Sequence, residues 1–115
     1  MSTGEHFQNE TLRPIIKLQN DLFIAVFKNY IKKYKCVFHG LSLEKKMDYI
    51  DNAVQKNIKF RNSLKGMIVG QFTVDEYEVY IQNSSSLNKR MMQIVTERLK
   101  DQVQLFDNSK HLIAV

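Results

Sequence analysis

The sequence predicts an all-α fold: a small, four-helix, bundle-like domain with three long helices, one short one and short connections. Three observations lead there. Apolar residues recur at spacings of three, four and seven over most of the chain, which is the period of an α-helix. One Pro and four Gly in 115 residues leave few of the tight turns that a β-sandwich or barrel requires. Helix-cap chemistry also precedes the periodic stretches, most plainly in Thr73-Val74-Asp75-Glu76, where hydroxyl and carboxylate have the spacing of a capping box.

Residues 1–10 are polar and read as a loose lead-in, with the domain proper at 11–106 and a tail at 107–115. Asn9 or Thr11 is expected to cap a helix over 11–37, with Pro14 in its opening turn, where its missing N–H costs nothing. Leu12, Ile15, Ile16, Leu22, Phe23, Val26, Phe27, Tyr30 and Tyr34 form the apolar face of that helix. Lys32, Lys33 and Lys35 complement the negative end of its dipole. His39-Gly40-Leu41 is a short connection.

Ser42 then caps one long amphipathic helix over 43–69, with Leu43, Met47, Ile50, Val54, Leu64 and Ile68 on one face. Gly66 inside it costs about 1 kcal/mol relative to Ala, which a close helix crossing would explain. Gly70 is the expected stop. The capping box opens a short helix at 74–83, where Val74, Tyr77 and Ile81 share a face. Asn83-Ser84-Ser85-Ser86 breaks the pattern and caps the last helix, 87–106, whose inner face is Leu87, Met91, Ile94, Val95, Leu99 and Phe106. The tail ends in an apolar Leu112-Ile113-Ala114-Val115.

Composition narrows the class. With 43% hydrophobic and 25% charged residues, one modest core can be buried. Apolar runs such as residues 22–27 are too short to cross a bilayer, and no charged-then-apolar leader opens the sequence. The single Cys36 cannot form an internal disulfide, which fits a reducing, cytoplasmic setting. The net charge of +5 is divided evenly along the sequence: 9 basic and 6 acidic groups in residues 1–58, 8 and 6 in residues 59–115. Lysine clusters at Lys28 and Lys32 and at Lys56 and Lys59 nevertheless mark where a polyanion or nucleic-acid backbone would be held.

No enzyme signature emerges. Cys36 and His39 have a C-x-x-H spacing, but His6 and His111 lie in the tails, so no metal site and no cofactor are expected. The acids fall near helix starts or on outward faces, and no glycine-rich phosphate loop is present. A helix-turn-helix centred on Gly70 would turn Asp75, Glu76 and Glu78 toward phosphates and be repelled.

Two features point to binding. The first predicted helix carries apolar residues off its main face at Leu18, Ile24 and Ile31, more than a small bundle buries, which predicts a homo-oligomer or a protein partner. Polar residues also interrupt the inner faces: Gln19 on the first helix, Asn57 and Arg61 on the second, Arg98 and Gln102 on the last. Buried charge needs compensation. Those five residues predict either a structural polar layer or a site where two guanidiniums clamp a carboxylate or phosphate.

Overall fold

The computed structural model describes residues 2–106, and all regular structure among them is helical. The elements are α1 (Thr3–Phe7), a π-helical turn (Gln8–Leu12), α2 (Arg13–Leu18), α3 (Asn20–Lys33), a 3₁₀ turn (Val37–Gly40), α4 (Leu43–Lys56), α5 (Ile58–Val69), α6 (Val74–Ile81) and α7 (Ser84–Asp101). The fold is all-α, as the periodicity implies. It has more segments than the four expected, because two predicted rods break in their middles. The tail at 107–115 lies outside the described residues.

The first ten residues are not a loose lead-in. Ser2 caps α1 by accepting the Glu5 N–H on its hydroxyl, and Phe7 enters the core edge-on to Phe72, with ring centroids 5.6 Å apart. Neither Asn9 nor Thr11 is a cap; both lie within the wide turn. That turn has a cause in Pro14, which has no N–H to offer the carbonyl four residues back and whose ring crowds it. Widening to the π spacing just upstream accommodates the ring without ending the helix.

At Gln19 the backbone leaves helical values (φ −91°, ψ 9°), which separates α2 from α3. The face it buries holds Phe23, Ile24, Phe27 and Ile31, while Leu22 is exposed. This corrects the assignment of Ile24 and Ile31 to an interface. Centring the face on Leu22, Val26 and Tyr30 put both off it, whereas the buried face is centred on Phe27, with Ile24 and Ile31 on its other flank. Phe38 and Phe106 close over Phe27 at centroid distances of 5.9 and 4.9 Å. Of the three residues assigned to that interface, Leu18 alone is exposed, at 78%.

The long helix predicted over 43–69 also divides. Asn57 is extended (φ −81°, ψ 102°), and its N–H reaches back five residues to the Asn52 carbonyl. Its side-chain oxygen accepts the Phe60 N–H at 3.1 Å, so it caps α5. Asn favours this because its short amide offers the backbone an alternative partner. The close crossing expected at Gly66 is absent: a Cβ there would meet nothing within 4 Å. Ser42 caps α4 and Thr73 with Glu76 forms the capping box, both as predicted.

The last helix begins three residues earlier than expected, with Ser84, Ser85 and Ser86 in its first turn. It is the central element, buried at Leu87, Met91, Met92, Ile94, Val95, Thr96 and Leu99 and packed against α2, α4, α5, α6 and the π turn. Burying each Leu, Ile or Met here stabilises by about 1.5–3 kcal/mol. The polar Thr96 is satisfied, donating to the Met92 carbonyl at 2.8 Å and accepting from Gln55 Nε2 at 3.3 Å. The body measures 48 × 25 × 23 Å.

Candidate functional site

The five inward polar residues do not meet in one place. Gln19 donates through Nε2 to the Met67 carbonyl at 3.1 Å, tying the α2–α3 break to the end of α5. Arg61 donates to the Gln55 carbonyl at 3.4 Å, at the α4–α5 junction. Arg98 and Gln102 are brought together, through a residue that the inner-face argument missed. Asn20 Oδ1 accepts from Arg98 Nε at 3.1 Å and from Gln102 Nε2 at 2.8 Å, while Asn20 Nδ2 donates to Gln102 Oε1 at 2.8 Å. Arg61 and Arg98 share no hydrogen-bond partner among the described residues. The buried Arg98 edge instead meets a neutral amide network. Its outer side lines a cleft of about 420 Å³ with Arg13, Lys17, Asn9, Pro14 and Ile94.

Asn57, the fifth residue, leads to a different cleft. Its Nδ2 donates to the hydroxyls of Tyr30 at 3.2 Å and Tyr34 at 3.3 Å, pinning the end of α3 to the start of α5. Three rings follow one another there: Tyr34 to Tyr30 at 4.6 Å and Tyr30 to Phe60 at 4.3 Å between centroids. Tyr34, at the outer end of this ladder, is 44% exposed. Lys33, Lys59, Asn29, Ser63 and Val26 complete a cleft of about 230 Å³, with no Asp or Glu among its lining residues. Of the predicted binding residues, the cleft contains Asn57 and Lys59. Lys33, Tyr30, Tyr34 and Phe60 come from another helix turn or another helix, and nothing local links them.

The fold also sorts the charge that the sequence mixes. Residues 22–43 carry Lys28, Lys32, Lys33 and Lys35, and residues 52–74 carry Lys56, Lys59, Arg61 and Lys65, with no acid in either stretch. Asn57 joins these two stretches. Residues 2–12 and 66–88 hold Glu5, Glu10, Asp75, Glu76 and Glu78 and no Lys or Arg. These two meet as well: Thr3, His6, Phe7, Glu10 and Thr11 share a cleft with Asp75, Glu76 and Val79. Since α3 and α5 run antiparallel, bound by Gln19–Met67 at one end and Asn57–Tyr34 at the other, Lys33, Lys56 and Lys59 lie at the start of α5, and Asp75 and Glu76 follow its far end. A helix of this length spans about 18 Å.

The acidic end carries an exposed apolar face. Of α6 only Tyr80 is buried, its hydroxyl donating to Asn88 Oδ1 at 2.6 Å. Val74 is 75% and Ile81 52% exposed, and Tyr77 lies between them on the same side. Exposed apolar residues at the basic end are Tyr34, Val37 and Ile58.

Cys36 is exposed, and among the described residues no group of three His, Cys, Asp or Glu could hold a metal ion. No described helix is long and apolar enough to cross a membrane. Comparison of the chain with protein-family models, characterised proteins and solved structures finds no match.

Proposed function

We propose that the protein is a non-catalytic assembly module whose α6 face docks on the basic end of a second copy. The observation that carries this reading is the uncovered row Val74, Tyr77 and Ile81. A short helix that buries one residue of eight contributes little to its own core, and the apolar side it leaves in water is stabilised by a partner. Charge selects the partner. Asp75, Glu76 and Glu78 flank the row, so two α6 faces would repel one another, whereas the lysines around Tyr34, Val37 and Ile58 attract them. Such a contact joins unlike surfaces, so it propagates from copy to copy instead of closing as a two-fold dimer.

The scaffold behind this surface reads as bundle-like. Single-residue breaks join α2 to α3 and α4 to α5, which supports grouping the segments into a few antiparallel rods. The one exposed thiol, Cys36, supports a reducing, cytoplasmic setting. Leu18 remains as a peripheral contact for the assembly.

Sedimentation velocity tests the reading. The wild-type chain is expected to run larger than 13.6 kDa at high micromolar concentration, with a size that grows with concentration. Val74→Glu with Ile81→Glu is expected to run as a monomer with an unchanged far-UV circular dichroism spectrum. A wild-type chain that stays monomeric throughout overturns the proposal.

A further inference from the structure

The cleft between α3 and α5 combines three things that one ligand class requires together. The first is a held aromatic surface. Tyr34 lies at the end of the Tyr34–Tyr30–Phe60 ladder, and Asn57 tethers its hydroxyl, so the ring is fixed before anything binds. The second is unopposed positive charge, from Lys33 and Lys59 in the lining, with no carboxylate among the residues around them. The third is neutral hydrogen-bonding groups, Asn29 and Ser63, in the same lining.

An aliphatic anion would use the lysines and leave the rings idle. An apolar ligand would use the rings and leave two ammonium groups beside it. A planar ring carried on a phosphate uses all of it: ring on ring, phosphate on lysine, base edge on amide and hydroxyl. We infer that this cleft binds a nucleotide unit, with its base stacked on Tyr34 and its phosphate between Lys33 and Lys59. The shared chemistry comes from two sources, single-stranded nucleic acid and free mononucleotides. At about 230 Å³ the cleft is sized for one base. A duplex keeps its bases stacked inside and offers Tyr34 nothing. This inference revises the lysine footprint read from the sequence, retaining Lys59, adding Lys33 and leaving Lys32 and Lys56 outside the cleft lining. Lys28 does not line the cleft. The cleft shares the basic surface around Tyr34 with the assembly reading but does not rest on it, since the α6 residues take no part in nucleotide binding.

Fluorescence anisotropy of a labelled oligo-dT with the full chain tests the inference. Binding is expected that weakens with salt and is at least about tenfold weaker for a duplex of the same sequence length. Tyr34→Ala and the pair Lys33→Glu and Lys59→Glu are each expected to lose about tenfold or more, while Tyr34→Phe, which keeps the ring, retains binding. Lys17→Glu, in the other basic cleft, is expected to change nothing. If dTMP displaces the strand, a free nucleotide occupies the cleft; if only other strands displace it, a strand does, and either result supports the site. No binding, equal binding to duplex, or an equal loss in Lys17→Glu overturns it. Should Tyr34→Ala lose its helical circular dichroism, the exposed Lys59→Glu and Lys33→Glu variants decide alone.

Discussion

Tyr49 shows how a single buried group leaves its mark on stability. Its ring packs edge-on to Phe27, Tyr30 and Phe38, and its hydroxyl is buried without a hydrogen-bond partner among the described residues. Leaving such a group unpaired costs about 1–3 kcal/mol, while the ring alone would pack as well. Tyr49→Phe is therefore expected to raise stability by about 1 kcal/mol, read as a higher urea midpoint at unchanged slope. The same burial, with Tyr30, Tyr34 and Cys36 nearby, pushes the hydroxyl pKa from 10.0 up to about 12. Its sign follows from proton counting. Between those values the unfolded chain has released this proton and the folded chain still holds it, so stability falls as pH rises. The loss begins near 10.0 and is complete near 12. Burial raises Tyr30 and Tyr80 in the same direction. Tyr49→Phe should flatten the alkaline decline in part, and a decline of identical steepness in the variant would count against this account.

At the scale of the elements, Asn57 is the instructive residue. One amide ends α4, caps α5 and holds α3 through two phenols. Asn57→Ala loses all three roles and is expected to cost about 1–2 kcal/mol. Asn57→Asp keeps an acceptor for the Phe60 N–H, favoured by the helix dipole, but no longer donates to Tyr30 and Tyr34, so its cost should be smaller. Urea denaturation of the two variants separates cap from tether, and equal losses would mean that the cap contributes nothing. Asn57 also marks how far the sequence could be read. Local chemistry was legible: the Ser42 cap, the Thr73–Glu76 box and the inner face of α7 are each written within a few residues. The breaks at Gln19 and Asn57 were not, because apolar positions on either side of each break still fit one continuous period. The polar residues there looked like intruders on a face when they were its ends. Ile24 and Ile31 were misplaced because the face was centred on Leu22, Val26 and Tyr30, which are exposed or half-buried, instead of on Phe27. Phe7 was missed because a lone aromatic in a polar stretch carries no periodicity at all. The cleft of Tyr34, Lys33 and Lys59 needed α3 and α5 to be aligned in space, and no spacing along one helix reports that.

Taken whole, the molecule separates charge that its sequence interleaves, and this governs how the two proposed activities meet. Each half of the chain contains both signs, so a count along the sequence shows an even spread. Antiparallel α3 and α5 bring Lys33 and Lys59 into one cleft, and the pairing of the N-terminal segment with α6 brings Glu10, Asp75 and Glu76 into another, beside which Arg90 donates to Gln8. If the α6 face of one copy docks against the basic end of the next, it covers surface around Tyr34, which the cleft needs open for a nucleotide. The two events then compete for one region, and each must weaken the other by the same factor, as linkage requires. Both are also screened, with a Debye length of about 8 Å at physiological ionic strength, so moderate salt alone should shrink the assembly. The expected outcome is that a saturating oligo-dT shifts the wild-type chain to smaller species in sedimentation, at a salt concentration where both interactions are measurable. Tyr34→Phe, which keeps the stacking ring, should respond in the same way. Lys33→Glu with Lys59→Glu should lose nucleotide binding and self-association together, whereas Val74→Glu with Ile81→Glu should lose only self-association and bind the strand more tightly than wild type. An assembly that takes up the strand without changing size would place the receiving surface for α6 away from Tyr34, leaving the cleft and the α6 face as independent sites.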